Sequence, residues 1–267
     1  MSRGTTRGDI PVPAFEPGTS VLVAGPITSA ARELALTLAV SGESPSGSVI
    51  ASTNTDGETL LNQCEALSPG LDRASIRIVD ATGGDTAAAS PEWLRRVSTP
   101  GNLSALGMEL SAATDELAAA DLAPIRTGVC SVSGLLEVAD FRPVSRLIHL
   151  LVGRVDAIGG VGVFYVDTAT CDERVTDTLA KLCDGRIDVR EARDRGDELQ
   201  VQGLPGAVDG WRAFRISLQW PRGIGKHLIA RQMSSGDSVT RLYSCIRCEF
   251  SSTDDLDPAA LTETACR

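Results

Sequence analysis

The chain has 267 residues, of which 42% are hydrophobic, 22% charged and 4% aromatic. These proportions are typical of a globular protein with a sizeable core, and they exclude a collagen, a disordered tail and a bundle of membrane helices. With 35 acidic and 25 basic residues the chain carries a net charge of −10, which disfavours nucleic acid and anionic membranes as partners.

Three regions follow one another along the chain. Residues 1–17 lack the apolar segment of a secretory signal, and we predict a disordered lead-in there. Residues 18–214 carry the patterned elements of a folded domain. Residues 215–267 have a net charge of +1, against −11 for the preceding chain, and no strong period. We predict an atypical, loosely ordered C-terminal extension or the product of a reading-frame change, with a small folded module as the alternative.

Short β-branched runs alternate with helical stretches from residue 19 onward, which predicts an α/β fold with a mostly parallel sheet covered by helices on both faces. The predicted strands are Ser20–Ala24, Ser48–Ser52, Ser75–Asp80, Gly128–Val132 and Val161–Val166. The predicted helices are Ser29–Val40, Glu58–Ala66, Leu103–Ala120, Pro143–Ile158 and Asp172–Cys183. Asn102 is the expected N-cap of the third helix. Gly185–Ala192 and Glu198–Gly203 alternate polar and apolar residues, which predicts an antiparallel hairpin at the sheet edge.

The composition also predicts a source and a compartment. Lys181 and Lys226 are the only lysines among the basic residues, and the others are arginines. An acidic, lysine-poor composition is typical of salt-accumulating archaea, in which dense surface carboxylates keep proteins dissolved. The seven cysteines are odd in number and scattered, which favours reduced thiols. No segment approaches the ~18 apolar residues of a membrane-spanning helix. We predict a cytoplasmic protein of a halophilic archaeon.

The turn after the first strand lies where a nucleotide-binding protein would carry its phosphate loop. In that loop, backbone N–H groups at a helix N-terminus wrap the phosphates, while a lysine and a hydroxyl reach the terminal phosphates and Mg²⁺. The pattern G-x-x-x-x-G-K-[ST], laid on the eight residues from Gly25, matches only the first glycine. Ala30, Ala31 and Arg32 replace the second glycine, the lysine and the hydroxyl residue. The topology of a phosphate site is therefore present without its charged groups.

Over residues 18–214 the sequence resembles the KaiC-like and GvpD-like branch of the RecA superfamily, in particular its degenerate members from halophilic archaea. The segments that carry the resemblance are Val21–Pro26, Val97–Ser104, Arg146–Gly160, Gly162–Asp167, Asp172–Arg174, Asp184–Glu191 and Gly203–Pro205. Taken together, the order and spacing of these segments match those of the family. The resemblance implies a RecA-like P-loop NTPase fold, for which ATP is the ligand of active members.

The sequence departs from the active members of that family at further positions. Active members end the second strand in two glutamates, one of which activates water, and Asn54 and Thr55 stand at the matching positions. An aspartate that holds the Mg²⁺ shell is replaced by Cys130. Phosphoryl transfer depends almost entirely on positioning and charge stabilisation, so these losses leave little with which to catalyse it. We predict a pseudo-ATPase and no catalytic residue.

A residual nucleotide site would draw on the residues around the first turn and on the end of the Val161–Val166 strand. These residues are Gly25, Pro26, Thr28, Ser29, Arg32 and Asp167. For Arg32 we favour a solvated arginine over a phosphate contact. Asp167 lies where ligands of doubly wound sheets bind, but a loop-capping role is favoured over a ligand role. Gly25 is required by the turn in either case.

The C-terminal extension contains weak candidates for a zinc site. Cys245 and Cys248 have the spacing of a metal knuckle, and Cys266 and His227 would complete the four ligands that tetrahedral zinc needs. Free thiols in a loose segment are the favoured interpretation. We therefore predict no bound metal and no cofactor, with ATP as the alternative ligand.

Three functional hypotheses follow. The leading one is a catalytically degenerate RecA/KaiC-like protein that acts as a cytoplasmic regulatory or signalling scaffold by binding a protein partner. The second is a nucleotide-binding switch that holds ATP without efficient hydrolysis. The third is a weak ATPase that a neighbouring subunit completes in trans, since active relatives assemble into rings. A homo-oligomer is therefore left open, whereas nucleic acid and membranes are not expected as partners.

Overall fold

The computed structural model describes residues 10–40, 42, 45–83, 90–192 and 196–216. These residues all lie within one compact unit that spans Met1–Gln219. Most of the predicted C-terminal extension, including the zinc candidates Cys245, Cys248, Cys266 and His227, lies outside the described residues. None of the described helices is long and apolar enough to cross a membrane.

The sheet has nine strands in the order β4-β3-β2-β5-β6-β1-β7-β8-β9. The strands are β1 (Ser20–Gly25), β2 (Gly47–Ser52), β3 (Ile76–Asp80), β4 (Leu94–Arg96), β5 (Ile125–Val129), β6 (Val161–Asp167), β7 (Gly185–Ala192), β8 (Gly196–Gln202) and β9 (Arg212–Phe214). The pairs from β4 to β7 are all parallel, whereas β7, β8 and β9 pair antiparallel. The predicted α/β class with a C-terminal antiparallel hairpin is confirmed, and the architecture is consistent with a RecA-like fold.

Helices cover both faces of this sheet. They are α1 (Ala31–Val40), α2 (Gly57–Leu67), α3 (Leu103–Ala119), α4 (Val132–Leu136), α5 (Phe141–Ala157) and α6 (Glu173–Ala180), with a short 3₁₀ turn at Arg73–Ser75. The apolar residues of α1 and α2 contribute to one core cluster, and those of α3 to α6 contribute to the other. The sheet is thus the central layer of three, as the alternating sequence pattern predicts.

Local sequence explains most of these elements. β1, β2, β3 and β6 are buried along their whole length, as expected of parallel strands that helices cover on both faces. The buried residues of α5 recur at helical spacing along one face. The predicted N-cap is confirmed, because the Ala105 N–H donates to Asn102 Oδ1 at 3.1 Å.

Two sequence predictions need correction. The strand predicted at Gly128–Val132 lies at Ile125–Val129, and Val132 begins α4. Ser131 ends the strand because its Oγ accepts the Gly134 N–H at 3.0 Å and caps the helix. Residues 10–17, predicted to be part of a disordered lead-in, are instead placed against the core through the apolar side chains of Ile10, Val12 and Phe15.

Candidate functional site

The turn between β1 and α1 lies at the carboxyl ends of the central strands, where doubly wound sheets bind their ligands. Gly25 ends β1, and its carbonyl accepts the Tyr165 hydroxyl and the Thr168 N–H, each at 3.3 Å. A Cβ at Gly25 would lie 2.7 Å from the Ala31 Cβ and 2.8 Å from the Val189 carbonyl oxygen. Close packing against α1 and β7 therefore requires the glycine.

Two carboxylates of the chain accept hydrogen bonds from backbone N–H groups of this turn. The Ile27 N–H donates to Asp167 Oδ1 at 3.2 Å, and the Ala30 N–H donates to Asp197 Oδ2 at 3.0 Å. In a phosphate loop, N–H groups at this place would bind phosphate oxygens. Acceptors of the protein thus stand where the ligand's oxygens would be.

The serine of the turn satisfies further donors. The Ser29 N–H and the Ser29 hydroxyl both donate to the Pro26 carbonyl, at 2.9 and 2.6 Å. The Ala31 N–H in turn donates to Ser29 Oγ at 3.3 Å, and Thr28 is exposed. The predicted residues Gly25, Pro26, Thr28 and Ser29 therefore form a turn whose donors are largely used within the chain.

Asp167 is positioned to hold this turn in place. The side chain is buried, and its Oδ1 accepts the N–H groups of Ile27 and Ala169, the latter at 2.9 Å. Its own N–H donates to Ser133 Oγ at 2.8 Å. This is the loop-capping arrangement that the sequence analysis favoured.

Arg32 is buried, and the expectation of a solvated arginine is wrong. Only 9% of the residue is exposed, because every residue of α1 except Glu33 is buried between the sheet and its neighbours. Its Nη2 donates to Thr55 Oγ1 at 3.3 Å. Within the described part of the chain Arg32 makes no other hydrogen bond and no ion pair.

Two of the three positions that the sequence analysis compared with catalytic residues, Thr55 and Cys130, interact with Arg32. Thr55 contacts it directly, and the Arg32 charge acts on the Cys130 thiol, whereas Asn54 is exposed. Burial raises the pKa of Cys130 to about 11, against a smaller lowering by Arg32. Burial likewise raises the pKa of Cys64. Both thiols are protonated at neutral pH, so neither is an activated nucleophile.

Asp197 was missed by sequence reasoning. It lies in the hairpin strand β8, 167 positions from its partner Ala30, and only the pairing of β1 with β7 and of β7 with β8 brings the two together. Burial raises the pKa of Asp197, the Ala30 N–H lowers it, and Glu191 raises it further. The signal available in the sequence was the charged segment between the two predicted hairpin strands, which contains Asp197 and carried no indication of a partner.

The N-terminus of α2 repeats this pattern. The Gly57 N–H donates to Asp80 Oδ2 at 2.9 Å, and Asp80 Oδ1 accepts the N–H and hydroxyl of Thr82 at 2.9 and 2.7 Å. Helices α1 and α2 both begin at the carboxyl edge of the sheet. At the start of each helix, a backbone N–H group donates to an aspartate side chain of the chain itself. No group of three or more metal-ligating side chains was found among the described residues.

Substitution of Asp197 distinguishes the cap oxygen from its charge. Asp197→Ala leaves the Ala30 N–H without its acceptor, and we expect a loss of about 1 kcal/mol in the free energy of unfolding. Asp197→Asn keeps an oxygen acceptor and is expected to lose less. Thermal and urea unfolding of the two variants measure this difference.

The difference in stability between the wild type and Asp197→Asn depends on pH in a defined direction. The raised pKa means that folded Asp197 binds more protons than unfolded Asp197 just above the ordinary carboxyl pKa. The stability of the wild type relative to Asp197→Asn is therefore expected to increase as the pH falls from about 7 to about 4. A relative stability that decreases over that range would contradict the burial of this carboxylate.

No curated protein matches this chain. A family model described as a family of unknown function (DUF7504) matches residues 18–189, which is more than half of the chain. The match covers the Gly25 turn, Arg32 and Asp167 and ends within β7, before Asp197. The chain therefore belongs to this family of unknown function, DUF7504.

Proposed function

We propose that the chain is a catalytically degenerate, RecA-like domain that acts in the cytoplasm as a regulatory or signalling scaffold and works by binding a protein partner. The observation that carries this proposal is the Asp197 carboxylate on the Ala30 N–H, at the N-terminus of the first helix after β1. A second carboxylate, Asp167, takes the Ile27 N–H of the same turn.

Electrostatics oppose a phosphate at this turn. A phosphate group would have to displace Asp197 or share the helix N-terminus with it, and like charges a few ångströms apart repel strongly in a partly buried site. The loop lysine that would offset this repulsion is absent, since Ala31 stands at its position. The residues of the turn therefore do not fit the triphosphate of ATP.

The chemistry of hydrolysis lacks its groups as well. Mg²⁺ prefers oxygen ligands, and the position that resembles the metal-holding aspartate carries the protonated thiol of Cys130. Thr55, at one of the two positions that resemble the family's glutamates, accepts a hydrogen bond from Arg32 through its Oγ1. Neither side chain supplies a general base or a carboxylate ligand for Mg²⁺ at neutral pH.

Two exposed apolar side chains support partner binding. Met108 of α3 is 72% exposed and Leu150 of α5 is 63% exposed, on two helices that pack against each other. Methionine adapts its shape to irregular surfaces and is common at binding faces. These two side chains offer apolar contacts that the core of the domain does not use.

The proposal is tested by nucleotide binding in molar KCl. The free energy of unfolding is measured with Mg·ATP, with Mg·ADP, and with magnesium and sodium tripolyphosphate at the same ionic strength. We expect no stabilisation by ATP beyond that of tripolyphosphate, and no release of phosphate. A ligand present at ~100 times its Kd would add about 2.7 kcal/mol, so binding would be visible.

The two alternatives give different results in this experiment. A saturable stabilisation that requires the adenine nucleoside, without phosphate release, would support the nucleotide switch. Phosphate release that rises steeply with protein concentration would support an ATPase completed between subunits. Either result would contradict the proposal, and the Asp197→Ala variant then measures how far this carboxylate limits nucleotide affinity.

A further inference from the structure

Arg32 and Arg77 are both buried arginines, but their surroundings differ. Arg77 is 5% exposed, and its guanidinium contacts Glu92 at 2.9 Å and Glu116 at 3.4 Å. It also donates to two backbone carbonyls at 3.0 Å. Arg32 is 9% exposed and contacts one neutral hydroxyl, that of Thr55. Among the described residues, one buried guanidinium thus has two ion-pair partners, and the other has none.

An uncompensated guanidinium is costly to bury. Arginine stays charged in proteins and has five N–H donors, and transfer of a charge from water into a protein interior without a counter-ion is strongly unfavourable. Arg32 uses one of these donors among the described residues. Its other nitrogens have no partner among the described residues and are not fully sealed from solvent, so a small ligand can reach them.

No carboxylate of the described residues forms an ion pair with Arg32. The Arg32 charge acts on the Cys64 and Cys130 thiols and the Tyr165 hydroxyl, and burial raises the pKa of all three. It also acts on the carboxyl group of Glu33, the next residue of α1, and burial raises the pKa of that group. These groups lie near the carboxyl ends of β2, β5 and β6, which is where parallel sheets bind ligands.

We propose that the Arg32 guanidinium, beside the Thr55 hydroxyl, binds a small oxyanion, either a carboxylate or a phosphate group, without a metal ion. The oxyanion supplies a directly bonded counter-charge, which Arg32 lacks among the described residues. A planar guanidinium with several free N–H groups forms charge-assisted hydrogen bonds to either kind of oxyanion. This site is separate from the Gly25 turn, whose N–H groups are taken by Asp167 and Asp197.

The test is thermal unfolding of the full chain in sodium phosphate, in sodium acetate and in sodium chloride, at equal ionic strength and pH. We expect phosphate or acetate to raise the Tm saturably above the chloride value, by about 9 °C at ~100 times the Kd. The anion that acts identifies the chemical class. Arg32→Met is expected to lose the rise completely and to be no less stable than the wild type in chloride, because it removes an unpaired buried charge.

Arg154→Met is the matched control. Arg154 is a partly buried arginine of α5 whose guanidinium pairs with Asp115 at 2.6 Å, and this variant is expected to keep the full anion response. A response that is equal in Arg32→Met and the wild type, or absent from the wild type, would overturn the proposal. If Arg32→Met does not fold, titration of the wild type followed by the Arg32 Nε–H resonance decides, and an unchanged resonance at saturating anion would also overturn it.

Discussion

Gly25→Ala is expected to lower the free energy of unfolding by about 3 kcal/mol, which lowers Tm by roughly 10 °C in a domain of this size. The added Cβ would lie 2.7 Å from the Ala31 Cβ and 2.8 Å from the Val189 carbonyl oxygen. Neither neighbour can rotate away, because one belongs to the first turn of α1 and the other to the backbone of β7. The strand and the helix must therefore separate, and urea and thermal unfolding measure the cost.

Gly153→Ala is the matched control for this substitution. Gly153 lies in α5, and a Cβ there would have nothing within 4 Å. Alanine has the higher helix propensity, so this variant is expected to gain about 0.5–1 kcal/mol. If both alanine variants changed stability by the same amount, close packing at Gly25 would not be the cause.

Asp167→Ala is expected to destabilise the protein by about 3 kcal/mol. It removes the carboxylate that accepts the N–H groups of Ile27, which is half-buried, and of Ala169, which is exposed, and each such hydrogen bond to a charged group contributes about 1.5–3 kcal/mol. Hydrogen exchange should locate the effect, because the amides of the Gly25 turn lose protection first. Unfolding in urea measures the total loss.

Two other aspartate variants separate the causes. Asp167→Asn retains an oxygen that accepts both N–H groups, and we expect it to lose less than half as much stability. Asp172→Ala removes an exposed cap, whose oxygen accepts the Arg174 N–H at 2.7 Å, and should cost about 1 kcal/mol. If Asp167→Ala cost no more than Asp172→Ala, the buried carboxylate would not hold the turn.

The sequence was sufficient for elements in which one local rule dominates. The continuous apolar run of β6 and the helical spacing of apolar residues in α5 were both predicted to within a few residues. It was insufficient where two rules compete. The Val-Cys-Ser-Val run around Ser131 has strand propensity, but the Ser131 hydroxyl caps a helix and turns the chain. β4 and β9 have three residues each, too few to establish a period.

The candidate site was predictable in position but not in its contacts. The topology placed Gly25 and Asp167 at the same sheet edge, and the structure brings them together through Ile27. The burial of Arg32 was not predictable, because it depends on how α1 is enclosed by other elements. The contact between Ala30 and Asp197 depends on the register of a hairpin that lies far away in sequence.

The two ends of the nine-stranded sheet also limit how molecules of this protein can associate. The outermost strands, Leu94–Arg96 and Arg212–Phe214, are short, and both carry arginine. A strand from a second molecule would gain few hydrogen bonds at either edge. Sheet-to-sheet polymerisation is therefore disfavoured within the described part of the chain, even when molar salt screens the repulsion between acidic molecules.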